Sequence, residues 1–306
     1  MTQIVFGVDV AKSWIDVAGP DGHRRVENTD LDSFAHRVAA SGGRVVFESC
    51  GAYERPLRMA LARHGAAAHR VNPSRARSLA HGLGILAKND KLDAGVLRRM
   101  GEVVDLPETP PEPENLRHLR ALHVRRRQLV AMRGDERRRL KQADDPWVRD
   151  HIAAQIAALT EEIKRLNILL ARAVDADPEL SAKAMLLRTA PGVGPVTTVT
   201  LLVEMTELGT LSPGAAGALT GTAPMARESG TRVGSRRIGE GRKGVRDVLF
   251  MAARSAARTD PAFAGFTQRL KQKGRAHKQA TIAASRKLIV ILNAMLRENR
   301  AYQAPN

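Results

Sequence analysis

Ile4-Val5-Phe6-Gly7-Val8-Asp9 and Arg44-Val45-Val46-Phe47-Glu48 decide the fold of this chain. Each is an apolar, β-branched run that ends on a carboxylate, which is the composition of a buried strand whose last side chain reaches the rim of a sheet. Between them, residues 3–9 and 13–19 read as short strands. Pro20-Asp21-Gly22 is a turn signal, and residues 23–28 supply a third, hairpin-like strand. A helix is expected over residues 31–40, ended by Ser41-Gly42-Gly43, before the strand at 44–48. A helix over 53–64, a strand over 67–71 and a helix over 74–86 follow. A meander of strands followed by alternating helices and strands, βββαβαβα, predicts an α/β sheet of mixed direction in the ribonuclease H-like pattern.

That topology gives the carboxylates a meaning. Its first and fourth strands lie side by side and parallel, so Asp9 and Glu48 are expected at neighbouring positions. Asp90 and Asp93, in Asn89-Asp90-Lys91-Leu92-Asp93, are three residues apart where a helix begins and share one helical face. Four gathered carboxylates repel one another unless cations neutralise them, and hard oxygen donors suit Mg²⁺, with Mn²⁺ as a substitute. Two such ions would clamp a scissile phosphate between attacking and leaving oxygens. The plain alternative makes each acid a surface group, with Asp90 an N-cap. Asp16 alternates with Asp9 along the hairpin and is the best decoy for a site carboxylate, while Lys12 is placed either to meet a phosphate or simply in solvent.

The rest of the composition sets this acidic cluster in a basic protein. The chain has 306 residues and a formal net charge of +17, so it is long enough to bury cores in two or three domains. Such an excess of Lys and Arg favours a nucleic-acid partner, whose condensed counterions these side chains displace. The single cysteine, Cys50, excludes an internal disulfide and a Cys-rich zinc site. No basic-then-apolar leader opens the chain, and polar residues interrupt every apolar stretch, so a soluble cytoplasmic protein without a membrane partner is expected. Aromatic residues make up only 3%, too few for recognition by base stacking. Recognition should therefore rest on phosphates and shape, or be delegated to another molecule.

Pro107-Glu108-Thr109-Pro110-Pro111-Glu112-Pro113 is a stiff linker and the clearest boundary. The expected division is 1–106 for the α/β domain, 107–178 for linker and helical arm, and 179–306 for a mainly α domain. In the arm, Leu116, Leu119, Leu122, Leu129 and Met132 recur near helical spacing, with arginines that include Arg120 and Arg126 on the other faces. After Asp144-Asp145-Pro146, the residues Ile152, Ile156, Leu159, Ile163, Leu166 and Leu170 form a near-heptad stripe. The two runs predict an antiparallel helical hairpin or coiled coil. Its use is either assembly of copies or, because acidic neighbours of the arginines are scarce, contact with nucleic acid.

In the last region, Pro191-Gly192-Val193-Gly194-Pro195 resembles a helix-hairpin-helix turn, where Gly192 and Gly194 would let backbone N–H groups approach a phosphate; an ordinary tight turn is the competing reading. From Arg227 to Lys243 apolar content almost vanishes, which reads as a flexible basic loop. Arg232, Arg236, Arg237, Arg242 and Lys243 are candidate phosphate binders there, as are Lys271 and Lys273 on a basic shoulder further on. Ser229 has no His or Lys placed as a base, and spacing alone makes it polar filler.

At this point the motifs resemble a known family over essentially the whole chain. Gly7-Val8-Asp9-Val10-Ala11-Lys12, Phe47-Glu48-Ser49-Cys50-Gly51-Ala52-Tyr53, Asn72-Pro73 and Ala87-Lys88-Asn89-Asp90-Lys91-Leu92-Asp93-Ala94 are similar to the RuvC-like DEDD domain of bacterial insertion-sequence transposases, a superfamily that includes the Piv DNA invertase. Pro191-Gly192-Val193-Gly194, Leu219-Thr220-Gly221-Thr222-Ala223-Pro224 and Glu228-Ser229-Gly230 resemble its C-terminal transposase domain. The resemblance implies that Asp9, Glu48, Asp90 and Asp93 hold catalytic metal and that Ser229 is a nucleophile that becomes covalently linked to DNA. It further implies donor and target DNA as substrates, a structured bridge RNA as guide, and a dimer or tetramer assembled through the arm, working at the nucleoid. Ser49-Cys50 stands where the family often has Ala-Thr, and Asn89 where Thr is frequent; neither change removes a catalytic group. Two other readings compete. One is a metal-dependent Holliday-junction-type nuclease in which water attacks; the other is a non-catalytic nucleic-acid-binding scaffold.

Overall fold

The computed structural model describes residues 4–51, 53–85, 90–225, 228–229, 232–233, 237–239 and 241–304. They form two compact units, Met1–Glu112 and Pro113–Asn306.

The first unit is a five-stranded mixed sheet with helices on both faces. In chain order its elements are β1 (Val5–Val10), β2 (Trp14–Gly19), β3 (Gly22–Glu27), α1 (Leu31–Ala40), β4 (Arg44–Glu48), α2 (Arg55–Arg63), β5 (Ala67–Val71), α3 (Pro73–Gly82) and α4 (Asp90–Val103). The spatial order is β3-β2-β1-β4-β5, with β1–β2 and β2–β3 antiparallel and β1–β4 and β4–β5 parallel. This is a mixed α/β architecture consistent with the ribonuclease H-like expectation. Because side chains alternate across a sheet, Phe6, Val8, Val45 and Phe47 face one way and pack with Phe34 and Val38 of α1 and Leu57 and Leu61 of α2. Val5 and Val46 face the other way, onto Leu97 and Met100 of α4.

Two glycines bring α4 down onto the sheet. A Cβ built on Gly7 would fall on the Ala94 carbonyl and the Arg98 amide, and one on Gly101 would lie 2.6 Å from Val5 Cγ1 and 2.7 Å from Val46 Cγ2. The helix therefore lies directly along β1 and β4. Helix α3 was expected to run to residue 86 but ends at Gly82; Gly84, with φ +74°, takes the left-handed conformation that stops a helix.

The second unit is mainly helical: α5 (Glu114–Leu140), α6 (Pro146–Asp175), α7 (Pro178–Arg188), α8 (Pro195–Glu204), α9 (Pro213–Leu219), α10 (Lys243–Thr259), α11 (Pro261–Gln272) and α12 (His277–Arg297). Between α9 and α10 lie four two-residue strands, β6 (Pro224–Met225), β7 (Glu228–Ser229), β8 (Arg232–Val233) and β9 (Arg237–Ile238). Helices α5 and α6 run antiparallel, with Leu129 against Ile163 and Leu166. At the root of this hairpin, Leu119, Leu170 and Val174 join the core built from α7, α8, α10 and α12. Asp145 caps α6 by accepting from the Val148 amide at 2.9 Å. Met132, expected on the apolar stripe, is half-exposed instead. Among the described residues no helix is long and apolar enough to cross a membrane.

Candidate active site

The ladder between β1 and β4 pairs Val5 with Arg44, Phe6 with Val45, Gly7 with Val46 and Val8 with Phe47. One step further along both strands come Asp9 and Glu48, each half-buried. Alternation puts Asp9 on the same face as Val5 and Gly7, and Glu48 on the same face as Val46, which is the face covered by α4. Gly7, two residues before Asp9, lies under Ala94. Asp93, also half-buried, is the residue before Ala94 in α4. Asp9, Glu48 and the first turns of α4 thus share one side of the sheet. The backbone of Asp90 opens α4, and its side chain lies outside the described residues.

The charge balance around this edge is uneven. Asp16 stands directly across the β1–β2 ladder from Asp9. It accepts from Arg25 Nε at 3.2 Å and Arg25 Nη2 at 3.1 Å, and from Trp14 Nε1 at 3.2 Å. Beyond Glu48, Glu54 is 2% exposed. Its carboxylate pairs with Arg70 Nε at 2.9 Å and Arg58 Nη1 at 3.6 Å, and accepts from the Cys50 amide at 3.1 Å. Sequence reasoning passed over Glu54, since nothing local marks an acid in the first turn before a helix as buried. Burial pushes the Cys50 thiol up to about 11, and the negative charges of Glu54, Asp9 and Glu48 push it the same way. Among the described residues no three His, Cys, Asp or Glu side chains stand together as a metal-holding group. Asp9, Glu48 and Asp93 each offer only carboxylate oxygens, the donor type that suits a hard divalent cation.

The remaining candidates fall elsewhere. Lys12 is exposed in the β1–β2 turn. Arg126 donates to Asn167 Oδ1 at 2.6 Å, bridging α5 and α6, and burial followed by the nearby Arg133 lowers its pKa. Arg120 is half-buried on α5. The arginines of α5 do find acids: Arg117–Glu114 at 2.6 Å, Arg138–Asp135 and Arg139–Glu136 one helical turn away, and Arg127–Glu204 at 2.6 Å from a distant helix. Gly192, with φ +76°, packs on α10, where a Cβ would meet the Ala252 carbonyl and come within 2.8 Å of the Ala256 amide. Gly194, the N-cap of α8, has open space at its Cβ position.

Lys271 and Lys273 are exposed. Lys243 pairs with Asp247 at 2.7 Å, and Arg242 is engaged by Glu207 at 2.6 Å. Ser229 lies on β7, its backbone paired with Arg232 of β8, and Arg237 lies on β9 opposite Met225. Side chains of Ser229, Arg232 and Arg237, and the whole of Arg236, lie outside the described residues.

A mixed five-stranded sheet with acids at the rim of its two central parallel strands is consistent with a RuvC-like DEDD domain, a class of enzyme domain that acts on nucleic acid. Comparison with known proteins makes the assignment specific. The model of the DEDD transposase domain of the IS110 type, described as a transposase, matches residues 6–143. That of the transposase IS116/IS110/IS902 family matches residues 184–268. Pilin gene-inverting proteins of Moraxella lacunata and Moraxella bovis are each 30% identical to the chain over 321 residues, covering 99% of it and 98% of their own length. An insertion element IS110 uncharacterized 43.6 kDa protein of Streptomyces coelicolor is 30% identical over 156 residues, 50% of this chain and 37% of that protein. The chain belongs to the IS110/IS116/IS902 transposase family. It is thus an enzyme of DNA recombination, and its DEDD domain suggests a divalent metal ion.

Proposed function

We propose that the chain is a site-specific DNA transposase or recombinase that cuts and exchanges strands through a covalent serine–DNA linkage. The observation that carries this reading is the placement of Asp9 and Glu48 at adjacent positions of parallel strands on the face covered by α4, which also bears Asp93. Asp9, Glu48, Asp90 and Asp93 would hold the divalent ion, Mg²⁺ with Mn²⁺ as a substitute. Bound there, it supplies Lewis-acid stabilisation of charge on the transferring phosphoryl group.

Ser229 is the proposed nucleophile. Its Oγ forms a bond to phosphorus as the hydroxyl proton leaves, the bond from phosphorus to a deoxyribose oxygen breaks, and that oxygen takes up a proton. One phosphodiester replaces another, so rejoining needs no external energy source. Relatives named for inverting a pilin gene, similar along their whole length, support conservative exchange between two sites.

The low aromatic content and the charge of +17 support a division of labour. A structured bridge RNA selects donor and target DNA by base pairing, while Lys12, Arg120, Arg232, Arg236, Arg237, Lys271, Lys273 and the backbone at Gly194 grip phosphates. The α5–α6 arm brings copies together as a dimer or tetramer, and work on chromosomal DNA places the protein at the nucleoid. The test is exchange on a plasmid carrying both ends of the element, supplied with its flanking non-coding transcript and Mg²⁺. Asp9→Asn and Ser229→Ala should each abolish exchange while leaving DNA binding intact. Exchange that survives either change would refute the reading.

A further inference from the structure

The segment carrying Ser229 leaves the helical core and returns to it at one place. The Arg242 amide donates to the Leu219 carbonyl at 2.8 Å. Gly241, with φ +65°, packs so closely on the outgoing strand that a Cβ would fall on the Gly221 amide and 2.8 Å from the Leu219 carbonyl. Between these ends the pairs are nested: Pro224 with Ile238, Met225 with Arg237, Glu228 with Val233, and Ser229 with Arg232. Ser229 therefore belongs to the innermost pair and Leu219–Arg242 to the outermost. Such isolated strand pairs have little stability of their own, so where Ser229 is held depends on how the two ends of the segment, at Leu219 and Arg242, are anchored to the helices.

The stem is held by the Arg242 side chain. Its Nη2 meets Glu207 at 2.6 Å, and its Nη1 reaches the Glu204 carbonyl and lies 3.2 Å from Met205 Sδ. Glu204 closes α8, so the guanidinium also sits at the negative end of a helix dipole. The Glu204 carboxylate is in turn bound by Arg127 Nη1 at 2.6 Å and by His123 Nε2 at 3.0 Å, both from α5. The fork geometry of arginine is what allows one side chain to satisfy a carboxylate and a carbonyl together.

We propose that Arg242, read from sequence as a phosphate binder, is instead a positioning residue for Ser229, acting with Glu207 as the clamp of the ribbon stem. This rests on Ser229 being the nucleophile. Misplacing a reacting atom by about an ångström costs on the order of a hundredfold in rate, so a stem free to shift on that scale slows attack by Ser229.

The experiment compares Arg242→Gln, Glu207→Gln and the double variant in the full chain. It reads covalent protein–DNA product on a plasmid bearing the element's ends, salt-dependent binding to duplex DNA of random sequence, and thermal unfolding. Each single change should lower the covalent product by about tenfold or more, and the double variant should be no worse than either, as expected for one shared interaction. Binding and its salt slope should match wild type in all three. A slope reduced by about 0.9 in Arg242→Gln, with Glu207→Gln fully active, would make Arg242 a phosphate contact and overturn the proposal. A collapse of thermal unfolding in Glu207→Gln would overturn it too, by making the pair part of the core. Covalent product in wild type that none of the variants changes sinks this inference alone, whereas exchange by wild type without any covalent product sinks the serine reading along with it.

Discussion

Asp9 and Asp16 face each other across the β1–β2 ladder, and Arg25 grips the Asp16 carboxylate through Nε and Nη2. The guanidinium also lies over the Trp14 ring, 4.3 Å from its centre. Asp16 is thereby committed to structure, whereas Asp9 stands at the rim with Glu48 one strand away.

This contrast yields the first prediction. Asp16→Asn should retain strand exchange within about threefold, since a two-point surface ion pair contributes only about 1 kcal/mol. Asp9→Asn should lose about a hundredfold or more, the scale on which removal of one charge-stabilising group acts. Plasmid exchange assays on the two variants decide it; equal losses would mean that Asp16 belongs to the site.

Gly7→Ala should destabilise the first unit by about 1–3 kcal/mol, because the new methyl meets the Ala94 carbonyl and the Arg98 amide. Urea unfolding measures the loss. A wild-type midpoint would show that α4 does not lie on β1 as described.

Glu54→Gln removes a charge that is 2% exposed and serves Arg58, Arg70 and the Cys50 amide together. The expected loss is about 1–3 kcal/mol, kept modest because Arg70 is 38% exposed and water screens it. Chemical denaturation checks it. A stabilised variant would show that desolvation of the carboxylate outweighs its three partners.

The pH dependence follows from Glu204 and Glu207. Burial raises both, but hydrogen bonds from His123 to Glu204 and from Arg242 to Glu207, together with the charges of Arg127 and Arg242, leave both below the usual 4.5. A carboxylate lowered on folding contributes stability that is full above its unfolded value and disappears as pH falls through the folded one. Thermal unfolding followed from about pH 6 to pH 3 should therefore show a falling midpoint, and Glu204→Gln should flatten part of that fall. An identical acid slope in the variant would contradict the assignment.

Much of the first unit was legible because its signals are local. Ser41-Gly42-Gly43 and the apolar runs fix α1, β4 and β5 at 31–40, 44–48 and 67–71, as expected. The adjacency of Asp9 and Glu48 followed from topology alone. What the sequence hid depends on distant partners. Arg242 and Glu207 are 35 residues apart, and Arg127 meets Glu204 across 77, so neither ion pair shows in a count of nearby acids. The stretch around Ser229 lacks apolar alternation and is dense in Gly and Arg, so it read as a loop where the described residues form nested pairs. At Gly192 the turn motif did not reveal a second demand on the glycine, its close packing on α10.

The most direct test of the central claim is to trap the reaction on end-bearing plasmid with Mg²⁺, digest the DNA and the protein, and locate the residual nucleotide by mass spectrometry. The account predicts a nucleotide on Ser229, lost in Ser229→Ala and absent from Asp9→Asn. Exchange products with free ends and no modified peptide, or a nucleotide attached to any other residue, would contradict it.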